Sequence, residues 1–420
     1  MTKRTLLSLF VPFLLGLGII SSFFREIVIA YYYGSSKEVE IYRIAFSIPY
    51  ALFQSLGTIL IASLLPLYLA DRNILPNIQS SIKKVFLFVI LIAILTIPWQ
   101  SVLFAPGFTQ TEQSALMSNM LISWSIVLIA ALIFPMRLIL QSNDKKILVS
   151  ATSLFFSFFL VSMIILLHKK IPGFELTIAS VISIIGIYIV YKWNVDLNTP
   201  LSKSLTHTKQ HHTITKIIIG SFIYILLLSM PRMIDKAIAS QMGDGVVANL
   251  DYAMNFYVAF GVLIGTSFTI IYAKKIAHEY KANSMHTKWI FQLIGIPFIL
   301  ASLVSLIIYP YSEDIVSLAY ARGAFSISDT MQVTAILHSF LIALPLMVVG
   351  MLLSQIVAAY SILVLIGLVC FKILSKWIWI ELDLSTIELS VFGESTLIME
   401  FSGIIAILFI LRSYSRSKGS

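Results

Sequence analysis

Apolar residues in this chain come in long runs separated by short polar breaks. A membrane-crossing helix needs about 20 consecutive, mostly apolar residues, and runs of that kind recur from Leu6 to Leu411. They predict a first set of spans near residues 6–33, 41–70, 85–105, 115–140, 147–167 and 174–191, and a second near 217–241, 247–273, 289–310, 331–357, 362–380 and 392–411. The longest polar interval, Asn194 to Lys216, lies between the two sets and is no longer than a loop. Lys3 and Arg4 ahead of Leu6 to Phe24 imitate a secretory signal, but no small-residue cleavage site follows and Arg25-Glu26 interrupts the run, so it reads as a retained first span. No charge occurs between Met331 and Phe371, a stretch long enough to cross twice, and the polar break at Tyr360-Ser361 predicts the turn within Ala358 to Ser361.

The two sets of runs resemble each other. At an offset of 208 to 209 residues Glu26 meets Asp235, Ala30 meets Ala239, Gly34 meets Gly243, Ala45 meets Ala253 and Gly57-Thr58 meets Gly265-Thr266, while Gly107-Phe108 matches Ala324-Phe325 at a larger offset. A repeat of six spans keeps both halves in the same orientation, related by an axis along the membrane normal. The fold class expected is therefore an all-α integral membrane protein. Its twelve or so transmembrane helices form two six-helix lobes, residues 1–205 and 206–420, related by a parallel pseudo-two-fold repeat around a central cavity.

Composition agrees with this pattern and excludes an ordinary soluble enzyme. The chain of 420 residues is 58% hydrophobic and 12% charged, against roughly 45–50% and about 25% in soluble domains. Its one cysteine, Cys370, sits in an apolar run, so neither an intramolecular disulfide nor a cysteine-rich metal site is available. The net charge of +9 reads as topology, because the basic residues sit in short inter-span loops, where nucleic acid is not the expected partner. With the N-terminus inside, most Lys and Arg fall on the cytoplasmic side, Arg137 among them, and only Lys37, Lys169, Lys170 and Arg322 fall outside. Both termini are then cytoplasmic.

Six basic residues remain within or near spans: Arg25, Arg43, Arg232, Lys236, Lys372 and Lys376. An ionisable group in hydrocarbon costs at least about 2.5–3.5 kcal/mol, so it faces a cavity, finds a partner or snorkels to the surface. Arg25 and Glu26 are adjacent, diverge by about 100° and are not expected to form one tight pair. Glu40 and Arg43 share a helix face at i, i+3, and Arg232 and Lys236 flank Asp235 in the seventh run. The balance of this set is slightly positive. Arginine's planar fork suits phosphate oxygens, so the set fits an anionic head group such as a pyrophosphate better than a cationic drug.

The stretch Phe24 to Tyr68, with LFAPGF at Leu103 to Phe108, MIDKAIAS at Met233 to Ser240, GVLIGT at Gly261 to Thr266 and ARGAFSISDT at Ala321 to Thr330, resembles in order and spacing the MurJ/MviN lipid II flippase family of the multidrug/oligosaccharidyl-lipid/polysaccharide exporter superfamily. The resemblance covers about residues 5 to 360. It implies a bacterial cytoplasmic-membrane flippase that moves undecaprenyl-pyrophosphate-linked saccharides between leaflets by alternating access, without ATP and without a cofactor. Its partners would be the polyprenyl-linked substrate, membrane lipid and a coupling ion, proton or sodium. By the resemblance Arg25 and Glu26 fill the family's Arg-acidic pair, Glu40 and Asp235 fill acidic positions, and Arg43, Arg232 and Lys236 supply further substrate-facing charge. The family's second-helix arginine aligns with Phe53 and its eighth-helix arginine with Asn255, which joins the candidate substrate-binding set. Some family members seat a cation between the seventh helix and the eleventh and twelfth, where Lys372 and Lys376 would instead bring an ammonium near Asp235. Well-studied family members also carry two further C-terminal helices, and twelve spans suit an O-antigen (Wzx-type) flippase too.

Other features carry less. Pro49, Pro98, Pro135, Pro231, Pro297 and Pro345 lie in or at the ends of spans, where prolines kink helices. His338 reads as a satisfied interior histidine, and His207, His211 and His212 lack the partners of a metal site. Trp193, Trp289, Trp377 and Tyr31 to Tyr33 suit interfacial aromatic belts. No P-loop and no H-E-x-x-H helix occurs. The alternatives are a cation or drug antiporter of the same superfamily, and a membrane glycosyltransferase or ligase acting on the same lipid carriers. The antiporter would want an acidic, aromatic lobe. The enzyme would want catalytic groups on a larger outer loop than Tyr311 to Thr330.

Overall fold

A computed structural model of the chain describes residues 3–143, 145–195, 208–282, 287–360, 362–383 and 388–417. Every regular element among them is a helix. In chain order these are α1 (Lys3–Tyr33), α2 (Lys37–Ala51), a π-helical segment (Leu52–Leu56), α3 (Gly57–Ala70), α4 (Leu75–Phe104), α5 (Gln110–Ser142), α6 (Lys146–Ser150), α7 (Thr152–Leu167) and α8 (Glu175–Asn194). There follow α9 (Thr208–Ala239), α10 (Val246–Ala282), α11 (Thr287–Ile308), α12 (Ser312–Tyr320), α13 (Ile327–Tyr360), α14 (Ile362–Asp383) and α15 (Val391–Ser417). Nine stretches among the described residues are long and apolar enough to cross a membrane, and α1, α7 and α14 occupy the other three apolar runs.

Two helices start on reciprocal side-chain caps that satisfy free backbone amides. Thr109 and Glu112 form a reciprocal capping box at the head of α5. Ser326 and Asp329 do the same at α13: Ser326 N–H donates to Asp329 Oδ2 at 2.8 Å and Asp329 N–H to Ser326 Oγ at 3.1 Å. The two devices follow the pairs Gly107-Phe108 and Ala324-Phe325 noted in the sequence. The six prolines singled out in the sequence all sit inside helices that continue through them. Pro49 is followed within three residues by the π-helical turn, so the helix reorganises its hydrogen bonding there and does not stop. The expected turn before the eleventh run matches the end of α13 at Tyr360 and the start of α14 at Ile362; Ser361 lies outside the described residues, as does the expected lobe boundary at residues 205 and 206. The segment Tyr311 to Thr330 is not simply a loop, because α12 forms within it and packs on α13.

The chain divides into two compact units, Met1–Ser229 with Lys236–Asp244, and Met230–Asp235 with Gly245–Ser420. In the first, α5 is the central post, packing against α2, α3, α4 and α8, while α1 packs on α7. In the second, α13 takes that place against α10, α11, α12, α14 and α15. Both posts are lined by side chains with almost no exposure, Ile126, Val127, Ala130 and Ile133 on α5 and Ile336, Leu337, Ala343 and Leu344 on α13. Leu87, Phe88, Leu91, Leu95 and Trp99 on α4 stand exposed, as an apolar solvent permits. Among the aromatic residues expected at the interface, Trp193 and Tyr31 are exposed, but Tyr33 is buried and its hydroxyl donates to Glu175. The short polar start of α8 supplies that carboxylate, which removes Tyr33 from the belt.

The contact between the α4–α5 turn and the end of α9 requires a glycine. A Cβ on Gly107 would lie 2.0 Å from the Ser240 carbonyl oxygen, and the Gly107 N–H donates to Ser240 Oγ at 3.2 Å. Gly107→Ala is therefore expected to force two backbones apart and destabilise by about 1–3 kcal/mol. Gly220→Ala, with open space around it, is expected to be neutral or slightly stabilising. Thermal unfolding of the detergent-solubilised protein, followed by size-exclusion fluorescence, separates the two.

Candidate functional site

The polar interior of the first unit is built on α1 and α2. Arg25 Nη2 and Nε meet Glu26 Oε1 at 2.7 and 3.1 Å, and Arg43 Nη2 pairs with Glu26 Oε2. One carboxylate, 2% exposed, thus lies between two guanidinium groups. This corrects the expectation that Arg25 and Glu26 stand apart. Their Cα–Cβ bonds do diverge, but the long arginine side chain folds back to its neighbour because no other acid is in reach of it among the described residues. Arg25 also donates to the Tyr50 hydroxyl at 3.3 Å and lies over the rings of Phe156 (5.3 Å) and Tyr50 (5.8 Å). Tyr50 in turn accepts from Gln54 Nε2 at 2.8 Å.

Glu40 belongs to a second group of charges. It pairs with Lys37 at 2.8 Å, which also reaches Asp244 at 2.6 Å and Glu112 at 3.5 Å and lies 4.5 Å over the Phe108 ring. Glu40 is buried, and the cation it meets stands one turn earlier on α2. Lys236, almost wholly buried, donates to the Arg43 carbonyl at 2.7 Å and to Ser47 Oγ at 2.6 Å. Arg25, Glu26, Arg43 and Lys236 therefore form one connected network, and Glu40 stands beside it in a second.

The second unit holds the other candidates in a balanced arrangement. Asp235, 1% exposed, meets Lys376 Nζ through Oδ1 at 2.7 Å and Oδ2 at 2.8 Å, and the same ammonium donates to Thr396 Oγ1 at 3.1 Å. Lys372 pairs with Glu400 at 2.7 Å. Neither lysine extends to the surface as a snorkelling side chain would; each turns inward because a carboxylate waits on a facing helix. Arg232 Nε donates to Met254 Sδ, and Asn255 is half-buried with an Nδ2 that has no acceptor. Asp235 and Lys236 are neighbours on α9, yet each is bound within a different unit.

One residue of chemical weight was missed. Arg137 on α5, counted with the cytoplasmic-end charges, is 4% exposed and lies 5.1 Å over the Phe53 ring. The signal was its place in the apolar run IFPMRLIL, with hydrophobic residues on both sides. His338 is satisfied as expected, bonded to Ser312 Oγ at 2.5 Å and to the Tyr309 carbonyl at 3.0 Å. No group of three metal-ligating side chains occurs among the described residues; His207 lies outside them, as do the side chains of His211 and His212.

Comparison with known proteins places this arrangement. No curated protein sequence matches the chain. Among solved structures, the lipid II flippase MurJ in an inward closed conformation is similar with a TM-score of 0.82 at 18% identity, covering 96% of this chain and 87% of that one. An inward-facing multidrug resistance transporter of the MATE family and MOP superfamily is similar with a TM-score of 0.70 at 13% identity, covering 95% and 96%. A MOP superfamily transporter from Pyrococcus furiosus, whose binding pocket is described as having reverse polarity, follows at 0.64 and 14% identity, covering 97% and 94%. At these identities the structures establish a common fold. The family model described as lipid II flippase MurJ matches residues 29–362, well over half of the sequence. This multi-pass membrane chain belongs to the lipid II flippase MurJ family.

Proposed function

We propose that this chain moves a polyprenyl-diphosphate-linked saccharide, lipid II or a related cell-surface precursor, across the bacterial cytoplasmic membrane by alternating access. Six-helix lobes at residues 1–205 and 206–420 are the moving parts of a twelve-span topology, with both termini cytoplasmic. The matched capping boxes and the two equivalent posts α5 and α13 support the repeat. The observation that carries the function is the charge of one network inside the first unit, where Arg25 and Arg43 meet the carboxylate of Glu26 and the buried Lys236 donates to the Arg43 carbonyl. Such a cluster attracts a diphosphate and repels a cationic drug, which sets the flippase above the antiporter.

Each residue has a definite part in this proposal. Arg25 and Arg43 grip diphosphate oxygens, and Glu26 compensates one of their two charges when no substrate is bound, which leaves a net positive charge for an anion to meet. Lys236 adds positive charge at the same network. Glu40, with Lys37, fixes the start of α2. Arg232, Asp235 and Asn255 are the candidate substrate contacts of the second unit. The resident cation beside Asp235 is the Lys376 ammonium, which takes the place a sodium ion would need.

In bacteria depleted of their own lipid II flippase, the parent gene is expected to restore growth, and Arg25→Ala and Arg43→Ala are expected to fail although both proteins reach the membrane. Rescue by both variants would remove the cationic network from the mechanism. Failure of the parent itself would move the substrate to another polyprenyl-linked saccharide. A second expectation concerns the coupling ion. Replacing sodium by potassium at constant ionic strength is expected to leave the transport rate unchanged, and a saturable sodium requirement would contradict the place given to Lys376.

A further inference from the structure

Among the described residues of the first unit, Arg137 is the one buried cation without a hydrogen-bonding partner in the contacts above. Arg25 and Arg43 share Glu26, and Lys236 has a carbonyl and a hydroxyl. Around Arg137, among the described residues, no carboxylate or hydrogen-bond acceptor meets the guanidinium, and its Nε is sealed from solvent without a partner. What surrounds it is aromatic: Phe53 at 5.1 Å, and Phe134 and Tyr191 each at 6.0 Å from the guanidinium carbon. Rings can hold a guanidinium through its faces, but they accept none of the N–H bonds at its edge.

The guanidinium edge packs closely against Gly57. A Cβ there would lie 2.2 Å from Arg137 Nη1 and 2.9 Å from the Phe134 ring. The preceding turn, Leu52–Leu56, is π-helical and contains Phe53, so the ring under the guanidinium sits on a locally rewound backbone of a kind common at functional sites. Tyr50, which accepts from Arg25, lies 6.5 Å from Phe53 on the same stretch of helix. Arg25 and Arg137 thus flank one aromatic pair. Phe53 is also where the resemblance places an arginine that this sequence lacks.

We propose that Arg137 is an anion site for a phosphate-class ligand, and that it grips the diphosphate of the lipid-linked substrate in place of the arginine missing at position 53. The charge reaches that spot from α5 and not from α2. The assignment rests on the flippase reading above. The same chemistry is carried by an ordinary anionic phospholipid head group, so the test includes both.

Full-length protein in nanodiscs is titrated with undecaprenyl diphosphate, with undecaprenol and with phosphatidylglycerol as separate arms, and thermal stability is recorded for each variant. The parent is expected to bind the diphosphate and to prefer it to phosphatidylglycerol. Arg137→Gln is expected to weaken diphosphate binding on the order of tenfold or more, as loss of a charged grip does, without changing undecaprenol binding or the melting temperature. Adding Phe53→Arg to Arg137→Gln is expected to recover part of the loss. If Arg137→Gln does not fold, Gly57→Ala decides, because it displaces the guanidinium without removing it and is expected to weaken diphosphate binding. Unchanged diphosphate affinity in the folded Arg137→Gln protein, or in Gly57→Ala should that be needed, overturns the proposal. Equal competition by phosphatidylglycerol overturns the assignment to the substrate. A parent that binds no diphosphate contradicts the flippase reading itself.

Discussion

The cost of holding charge inside hydrocarbon governs this molecule. A lone ionised group at the centre of a bilayer is disfavoured by about 2.5–3.5 kcal/mol or more, and removing one partner of a buried pair costs about 3–5 kcal/mol. The interior nevertheless keeps Glu26 between Arg25 and Arg43, and Asp235 against Lys376. Each helix that carries one of these charges is constrained by where the counter-charge sits. In the first unit this joins α1, α2 and the end of α9; in the second it joins α9, α14 and α15.

The two units manage the constraint differently. In the second, Lys372 and Lys376 each have a carboxylate on a facing helix, and the charges are close to balanced. In the first, Glu26 serves both Arg25 and Arg43, the buried Glu40 and Glu175 meet Lys37 and Tyr33, and Arg137 is left to aromatic rings. Two buried positive charges sharing one acid form a site whose stability improves when an anion arrives. That asymmetry links the chain's packing to the kind of molecule it handles, and a protein shaped for cations would have little use for it.

Much of this was legible in the sequence, for a physical reason. Helices in a bilayer must satisfy their backbone internally, so their lengths and number are written in the apolar runs. The candidate charges could be named because they break those runs. What could not be read was which charge each would choose. Arg25 folds back onto Glu26, Glu40 meets Lys37, and Lys376 turns inward to Asp235, because side-chain reach and facing helices decide pairing and sequence spacing does not. Arg137 escaped for a related reason. Five residues from the end of its helix, it looked like a topological charge, and only the packing of Phe53, Tyr191 and Gly57 around it shows otherwise.

The most direct test of diphosphate-lipid transport is a leaflet assay with purified protein in liposomes. A polyprenyl-diphosphate saccharide is placed in one leaflet, and its appearance in the other is followed with an impermeant reagent that modifies the sugar. The parent protein is expected to equilibrate the lipid between leaflets far faster than protein-free liposomes do. If it leaves the lipid in its original leaflet while exchanging a cationic dye for protons, the cationic network has another purpose and the chain is an antiporter built on the same fold.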